Sequence, residues 1–244
     1  IQDSLVGSEM CIRDRNVINS IMLSYDKFIT EGVYDPNIFK AFFLAGGPGS
    51  GKSYVQRSLF TGTGMKLVNS DTYFANALRK AGMSLDLRNV NPDTLTPMRD
   101  KSKKLTGSQL DKHLENRLGV IVDGTGRDYD RLAGDMAQAK RIGYDCYMIF
   151  VNTTLEVALE RNGKRERKIA PSVVENNWKG VQSNLGKFQR LFGMRNMMIV
   201  DNSRYNDNET NAVVYKSIRK LLTRPPSTWQ AKAWIKKELD KKRR

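Results

Sequence analysis

The sequence predicts an α/β fold: a doubly wound, five-stranded parallel sheet flanked by helices. Three observations predict it. Short apolar runs recur along the chain, at Phe39–Ala45, Lys66–Asn69, Gly119–Asp123, Tyr144–Val151 and Met197–Val200, with helix-like segments between them. Strands that alternate with helices pair in parallel through right-handed crossovers. A glycine-rich segment, Gly46–Ser53, lies directly after the first run, at the end of the sheet where such folds bind ligands. With 244 residues, 39% of them hydrophobic and 27% charged, the chain can build one large core without a metal or disulfide staple.

Taken in order, the chain opens with a segment that stands apart. Glu9-Met10-Cys11-Ile12-Arg13-Asp14-Arg15 reads as the in-frame translation of a transposon adapter used in sequencing libraries. Residues 1–15 are therefore expected to be a sequencing artefact; acidic residues interrupt them and no apolar stretch of signal-peptide length follows. Val17, Ile18, Ile21, Met22, Tyr25, Phe28 and Ile29 recur at helical spacing, so residues 16–31 read as an amphipathic helix ended by Gly32. Phe39–Ala45 is a continuous run of the kind a strand buried on both faces carries. Lys66–Asn69 is a second strand, and a helix is expected over 72–81, up to Gly82. Residues 93–118 are polar with sparse apolar positions, which predicts one or two exposed helices.

Val120-Ile121-Val122 forms the heart of the third strand, and Asp128 suits the N-cap of a helix reaching about Arg141. Tyr144–Val151 is the fourth strand and Thr153–Asn162 a helix. Pro171 suits a first helical position, and Ser172 and Glu175 have capping-box spacing. Val174, Trp178, Val181, Leu185, Phe188 and Phe192 then mark one helical face, with Gly193 as terminator. Met197–Val200 is the fifth strand, 208–222 a helix, and Pro225-Pro226 a break. The expected organisation is a domain over 16–223, with its N-terminal helix, and a basic tail helix over 224–244.

Gly46-Gly47-Pro48-Gly49-Ser50-Gly51-Lys52-Ser53 matches G-x-x-x-x-G-K-[ST] in full, between a predicted strand and a predicted helix. Such a loop turns its backbone N–H groups inward around phosphate oxygens, and the helix N-terminus favours the anion. The motif implies a bound nucleoside triphosphate, ATP, with Mg²⁺. Lys52 would reach the β- and γ-phosphates, Ser53 would ligate Mg²⁺, and Tyr54 directly follows.

Asp71 lies where the second strand ends. A carboxylate there can accept a proton from a hydroxyl that attacks the γ-phosphate; it can equally cap the helix that starts near Thr72. Asp123 ends the third strand, where a carboxylate would hold Mg²⁺ directly or through water. Gly124 and Gly126 keep the following turn open, so Thr125 and Arg127 can reach a substrate; the alternative is an ordinary strand-to-helix turn with Asp128 as cap. Arg161-Asn162-Gly163-Lys164-Arg165-Glu166-Arg167-Lys168 carries five cations in eight residues. It reads either as a solvated basic turn or as a lid whose guanidinium groups offset charge on a transferring phosphoryl.

Other chemistries are excluded. His113 is the one histidine and Cys11 and Cys146 the two cysteines. No Cys/His zinc site or disulfide framework can be built from them, and a Ser-His-Asp triad would have to use His113. No apolar run approaches the ~18 residues of a membrane span, so a cytoplasmic location is expected. The net charge of +15 favours anionic partners. Residues 224–244 carry eight Lys and Arg against two acidic residues, with Ala231, Trp234, Ile235 and Leu239 on one face. This helix either docks on the domain through its tryptophan or contacts nucleic acid.

The order of Gly46–Ser53, Asn69-Ser70-Asp71-Thr72, Asp123-Gly124-Thr125 and the Arg161–Arg167 segment resembles the zeta-toxin-like family of P-loop kinases, over roughly residues 38–201. The resemblance implies ATP and Mg²⁺ at Lys52 and Ser53, Asp71 as base, and Thr125 as a substrate contact. It also implies Arg161 with Arg165 or Arg167 as phosphate-binding arginines. Asp123 departs from the pattern, because the sugar-nucleotide toxins of the family carry Glu there. The implied activity is transfer of the γ-phosphoryl to a hydroxyl of a small molecule or nucleotide derivative. A 5′-hydroxyl polynucleotide kinase and an ATP-switched nucleic-acid-binding protein are the alternatives.

Overall fold

The computed structural model describes residues 33–204 and 208–243, so the expectations for residues 1–31 lie outside the described residues. Five parallel strands stand in the order β2-β3-β1-β4-β5: β1 (Lys40–Ala45), β2 (Lys66–Asn69), β3 (Val120–Asp123), β4 (Asp145–Asn152) and β5 (Met197–Asp201). The chain winds from β1 to one side and then to the other. β1 pairs with β3 from Ala41 opposite Val120 and with β4 from Lys40 opposite Asp145. The crevice beyond the C-terminal end of β1 is therefore the switch point of the sheet, where ligands of open α/β sheets bind.

Alternation along β1 divides the core. Phe42 and Leu44 join Val55, Leu59 and Phe60 of α1 (Lys52–Phe60) and Ile218 and Leu222 of α7 (Asn208–Thr223). Ala41, Phe43 and Ala45 face the other layer. That layer draws Leu110 and Leu114 from α3 (Pro92–Glu115), Leu132 and Met136 from α4 (Tyr129–Arg141), and Val181, Phe188 and Phe192 from α6 (Pro171–Phe192). A smaller cluster of Phe74, Leu78, Leu87 and Leu95 joins α2 (Ser70–Lys80) to α3, with Ile169 against it.

Several expectations change. The first strand begins at Lys40, because Phe39 holds a φ of 59°, outside the extended region. Lys40 itself is buried: its Nζ donates to the carbonyls of Pro36 and Leu222, and burial pushes its pKa down to about 8 against the pull of Asp145 and Asp35. Of the one or two exposed helices expected over 93–118, one forms, Pro92–Glu115, and it is not wholly exposed: it has Pro97 inside it and a buried stripe of Leu95, Ser102, Thr106, Leu110 and Leu114. The two buried hydroxyls return hydrogen bonds to carbonyls one turn back, which is how polar residues serve that stripe. The capping box at Ser172 and Glu175 does not form. Ala170 is the N-cap with no side-chain bond, and Glu175 pairs with Lys179 instead. Helix α5 (Leu155–Lys164), capped by Thr154, runs past Asn162, so Arg161 and Lys164 are helical. The basic loop is shorter than expected and starts at Arg165.

Helix α8 (Trp229–Lys242) packs on the core of the sheet. Ala231 is buried, Trp234 and Ile235 pack on the core, and the Trp234 ring meets Phe39 edge-on at 5.5 Å. Lys232, Lys236 and Lys237 face solvent.

Candidate active site

The phosphate-loop motif spans the turn from β1 into α1. Gly49 and Gly51 hold φ values of 81° and 87°, a region closed to most side chains. Neighbours also crowd them. A Cβ on Gly49 would lie 2.2 Å from the Ala158 carbonyl oxygen, and one on Gly51 would lie 2.1 Å from Asn202 Nδ2. The cap of α1 at Gly51 makes no side-chain hydrogen bond, so no cap side chain takes up the N–H groups of Lys52 and Ser53, which suit an anion, while that of Tyr54 donates to Gly51 O at 2.9 Å. Lys52 opens the helix and donates from Nζ to Gly46 O at 2.8 Å, folded back over the loop. Ser50 is buried, and its Oγ has no hydrogen-bond partner among the described residues. Ser53 and Tyr54 are exposed. Gly47 lies against Trp178 of α6, whose indole donates to Thr153 O at 2.8 Å.

β2 and β3 bring two carboxylates to this loop. Asn69, not Asp71, caps α2, accepting from the Asp71 N–H at 2.7 Å. That leaves the Asp71 carboxylate facing the cleft, where Arg167 Nη2 donates to Oδ2 at 2.6 Å. Burial opposes its ionisation, but the Arg167 hydrogen bond and the charges of Arg167, Lys52 and Arg165 together hold it below the ordinary carboxylate range. Asp123 is hydrogen-bonded through Oδ2 to Asn69 Nδ2 at 2.7 Å, and its buried Oδ1 has no partner among the described residues. Burial pushes this carboxyl up; Lys52 opposes the shift and Asp71 adds to it. Lys52, Asp71, Asp123, Arg165 and Arg167 thus share one electrostatic neighbourhood.

The segment after α5 is fastened over Asp71. Buried Asn162 exchanges two hydrogen bonds with the backbone of Ile169, at 2.8 and 3.2 Å. Leu87 N donates to Lys168 O at 2.9 Å, and Arg79 pairs with Glu166 at 3.6 Å. Arg165 lies half-buried; burial and the nearby Arg167 lower its pKa while Asp71 raises it, and its Nε has no partner among the described residues. Arg161 is placed differently. From α5 its Nη1 donates to Asn202 O at 2.8 Å, beside Gly51.

Thr125 supports the loop rather than extending from it: its carbonyl accepts the Gly46 N–H at 2.9 Å and its Oγ1 accepts the Arg127 N–H at 3.3 Å. Arg127 runs along α6, reaching Asn177 Oδ1 at 3.4 Å with its stem beside Gly180. Buried Asn184 donates to the carbonyls of Gly126 and Arg127 and fixes this turn.

The donor set suits a small hard cation bound partly by phosphate. Ser53 presents an exposed hydroxyl and Asp123 a buried oxygen without a partner among the described residues. Among the described residues no cluster of three His, Cys, Asp or Glu is placed to hold a metal by itself.

A five-stranded parallel sheet with a glycine cradle at its switch point defines a P-loop nucleotide-binding protein of the kinase-like type. A protein-family model described as an AAA domain matches residues 42–188, and the chain belongs to that family. It is 25% identical over 191 residues to a cytidylate kinase of Methanopyrus kandleri, covering 74% of this chain and 94% of that protein. It is 27% identical over 151 residues to a cytidylate kinase of Thermoplasma acidophilum, covering 62% and 74%. Two solved structures share the fold. One comes from work on the PezAT toxin–antitoxin system of Streptococcus pneumoniae (TM-score 0.50, 16% identity, 99% of this chain and 98% of that one). The other is a candidate kinase of Chloroflexus aurantiacus (TM-score 0.51, 15% identity, 76% and 97%). Among the described residues no helix is long and apolar enough to cross a membrane.

Proposed function

We propose that the protein is an ATP-dependent phosphotransferase of the zeta-toxin-like kind, moving the γ-phosphoryl to a hydroxyl of a small molecule or nucleotide derivative. The observation that carries this reading is the Asp71 carboxylate, ion-paired with Arg167 and within the electrostatic reach of Lys52 of the phosphate loop and of Arg165. Transfer to an acceptor hydroxyl uses a carboxylate base to take its proton and cations to offset charge on the transferring group. The similarity to two cytidylate kinases supports a kinase acting on a small acceptor.

In this reading the loop N–H groups and Lys52 hold the triphosphate, Asp71 takes the proton of the attacking hydroxyl, and the arginines offset charge on the transferring group. Arg167 first has to release Asp71, which frees the carboxylate for the acceptor and the guanidinium for the phosphoryl. Ser53 and Asp123 would hold Mg²⁺, which would supply charge neutralisation on the phosphate oxygens. Thr125, whose carbonyl holds the Gly46 N–H, and Arg127, beside α6, are the proposed contacts to the acceptor. The shorter carboxylate at Asp123, tied to Asn69, argues for an acceptor other than the nucleotide sugars of the sugar-nucleotide toxins. Dependence on ATP as donor implies a cytoplasmic setting.

The test is transfer from γ-labelled ATP to a panel of sugars, nucleotide sugars, nucleotides and 5′-hydroxyl oligonucleotides. A kinase consumes ATP when its acceptor is present, and Lys52→Ala abolishes transfer while the fold survives. Transfer that persists at the normal rate in Lys52→Ala refutes the reading. The exposed lysines of α8 and the net charge of +15 favour a second reading, a nucleic-acid partner. Hydrolysis stimulated by DNA or RNA without any phosphorylated product would select it.

A further inference from the structure

Asn202, the residue after β5, belongs to no motif, yet it gathers the loop, two strand ends and α5. Its N–H donates to Asn152 O at 2.9 Å, its Nδ2 donates to Ser50 O at 2.8 Å, and its carbonyl accepts from Arg161 Nη1 at 2.8 Å. Asn152 is itself anchored, its Oδ1 accepting from Gln182 Nε2 of α6 at 2.7 Å. The amide therefore approaches the loop from a fixed point, and closely enough that no side chain fits at Gly51.

We propose that Asn202 is a positioning residue for phosphate binding: its amide sets the direction of the Ser50–Gly51 peptide. In a planar trans peptide the C=O and the following N–H point in opposite directions. Holding Ser50 O on Asn202 Nδ2 therefore turns the Gly51 N–H away from β5, toward the side of the loop on which a phosphate is held. Gly51 carries no Cβ and tolerates the flipped peptide as readily as the observed one. The loop's own sequence does not choose between the two; the amide at the end of β5 does. The flipped form would aim a carbonyl oxygen at the phosphate in place of a donor. The proposal rests on the reading of Gly46–Ser53 as a phosphate loop.

Asn202→Ala removes the amide and keeps both backbone hydrogen bonds of residue 202. Asn202→Ser keeps a small polar side chain too short to reach Ser50, and serves if the alanine variant folds poorly. The probe is a fluorescent ADP analogue with Mg²⁺, displaced by ADP and by inorganic tripolyphosphate, with the ligand-free melting temperature measured alongside. Loss of one charge-assisted hydrogen bond predicts a roughly 10- to 100-fold weaker affinity for both competitors. Tripolyphosphate, which has no base or sugar, must lose as much as ADP. A variant that melts lower but binds tripolyphosphate as the wild type does shows a merely structural role and overturns the inference. So does a variant that loses ADP affinity alone, since the contact would then be to the nucleoside. A wild-type protein that binds neither competitor overturns the phosphate-loop reading itself, and this inference with it.

Discussion

Two alanine substitutions at glycines of equal φ separate backbone strain from loop placement. Gly49 in the phosphate loop and Gly64 before β2 both hold φ of 81°. A Cβ on Gly64 meets nothing within 4 Å, whereas one on Gly49 would lie 2.2 Å from the Ala158 carbonyl oxygen. A left-handed conformation costs a non-glycine residue about 1–2 kcal/mol. The smaller entropy of an unfolded alanine chain returns about 0.4–1 kcal/mol. Gly64→Ala should therefore lose about 1 kcal/mol, a fall of roughly 2–4 °C in melting temperature for a chain of this size, with nucleotide binding unchanged. Gly49→Ala bears the same strain and a clash besides. Real Cβ atoms do not approach closer than 3.0 Å, so the loop and α5 have to part by roughly 0.8 Å, and a helix-backbone carbonyl does not swing aside as a side chain would. A displacement near 1 Å of groups that position a reacting phosphate costs about 10²-fold in rate. The assays are thermal denaturation, displacement of a fluorescent ADP analogue, and kcat/KM with the acceptor found. Equal melting losses in the two variants, with ADP affinity in Gly49→Ala within about threefold of wild type, would refute the claim that α5 sets the loop's position.

Asp71→Asn should leave ADP affinity intact and slow transfer by roughly 10²–10⁴; a collapse of nucleotide affinity with a normal residual rate would make Asp71 a binding residue instead. Asp71 is held below its ordinary value, so its ion pair with Arg167 is present above about pH 4 and is lost only as pH falls through that lowered value. An acid limb of kcat/KM, which reports the free enzyme, between about pH 4 and 7 is then not its titration. Asp123 shifts the opposite way, so its ionisation in the ligand-free protein lowers stability as pH rises from the ordinary carboxylate value through the raised one. Asp123→Asn should raise the ligand-free melting temperature at pH 7, lose that advantage as pH is lowered toward 4, and be inactive; a lower melting temperature at pH 7 would contradict it. Deleting residues 226–244, or Trp234→Ala alone, should reduce stability, by about 2–4 kcal/mol for the single substitution, because the indole packs on Phe39. Salt dependence of oligonucleotide binding should not change. A log–log salt slope flattened at unchanged melting temperature, by ~0.7–0.9 for each phosphate the tail had neutralised, would favour the nucleic-acid reading.

Features with a strong local cause were legible in the sequence. Gly46–Ser53 announces its loop because the whole motif is written within eight residues, with glycine at the two positions, Gly49 and Gly51, that hold a left-handed φ. The strands were legible because a parallel sheet covered on both faces needs nearly unbroken apolar runs, as Phe42 to Ala45 and Tyr147 to Val151 show. Asp71 and Asp123 could be placed from their strand ends. What was not legible has partners far away in sequence. Asn202 meets Ser50 across 152 residues, Asn184 meets Gly126 across 58, and Asn69 meets Asp123 across 54. Each is a short amide whose local pattern reads as a turn or a polar helix position, and its role depends on how the sheet assembles. One signal was available, since Asn69 and Asn152 end strands and Asn202 follows one, all at the edge where ligands bind. The basic segment failed for the opposite reason. Its charges suggested one loop, whereas Thr154 caps a helix that extends to Lys164 and divides the arginines between two supports. Arg161 is held rigidly from α5 beside the phosphate loop, and Arg165 and Arg167 sit on a loop fastened by Asn162. In the proposed reading, one guanidinium would stay beside the phosphate loop while another would leave Asp71 as the acceptor arrives, a division of labour that a single flexible lid would not provide.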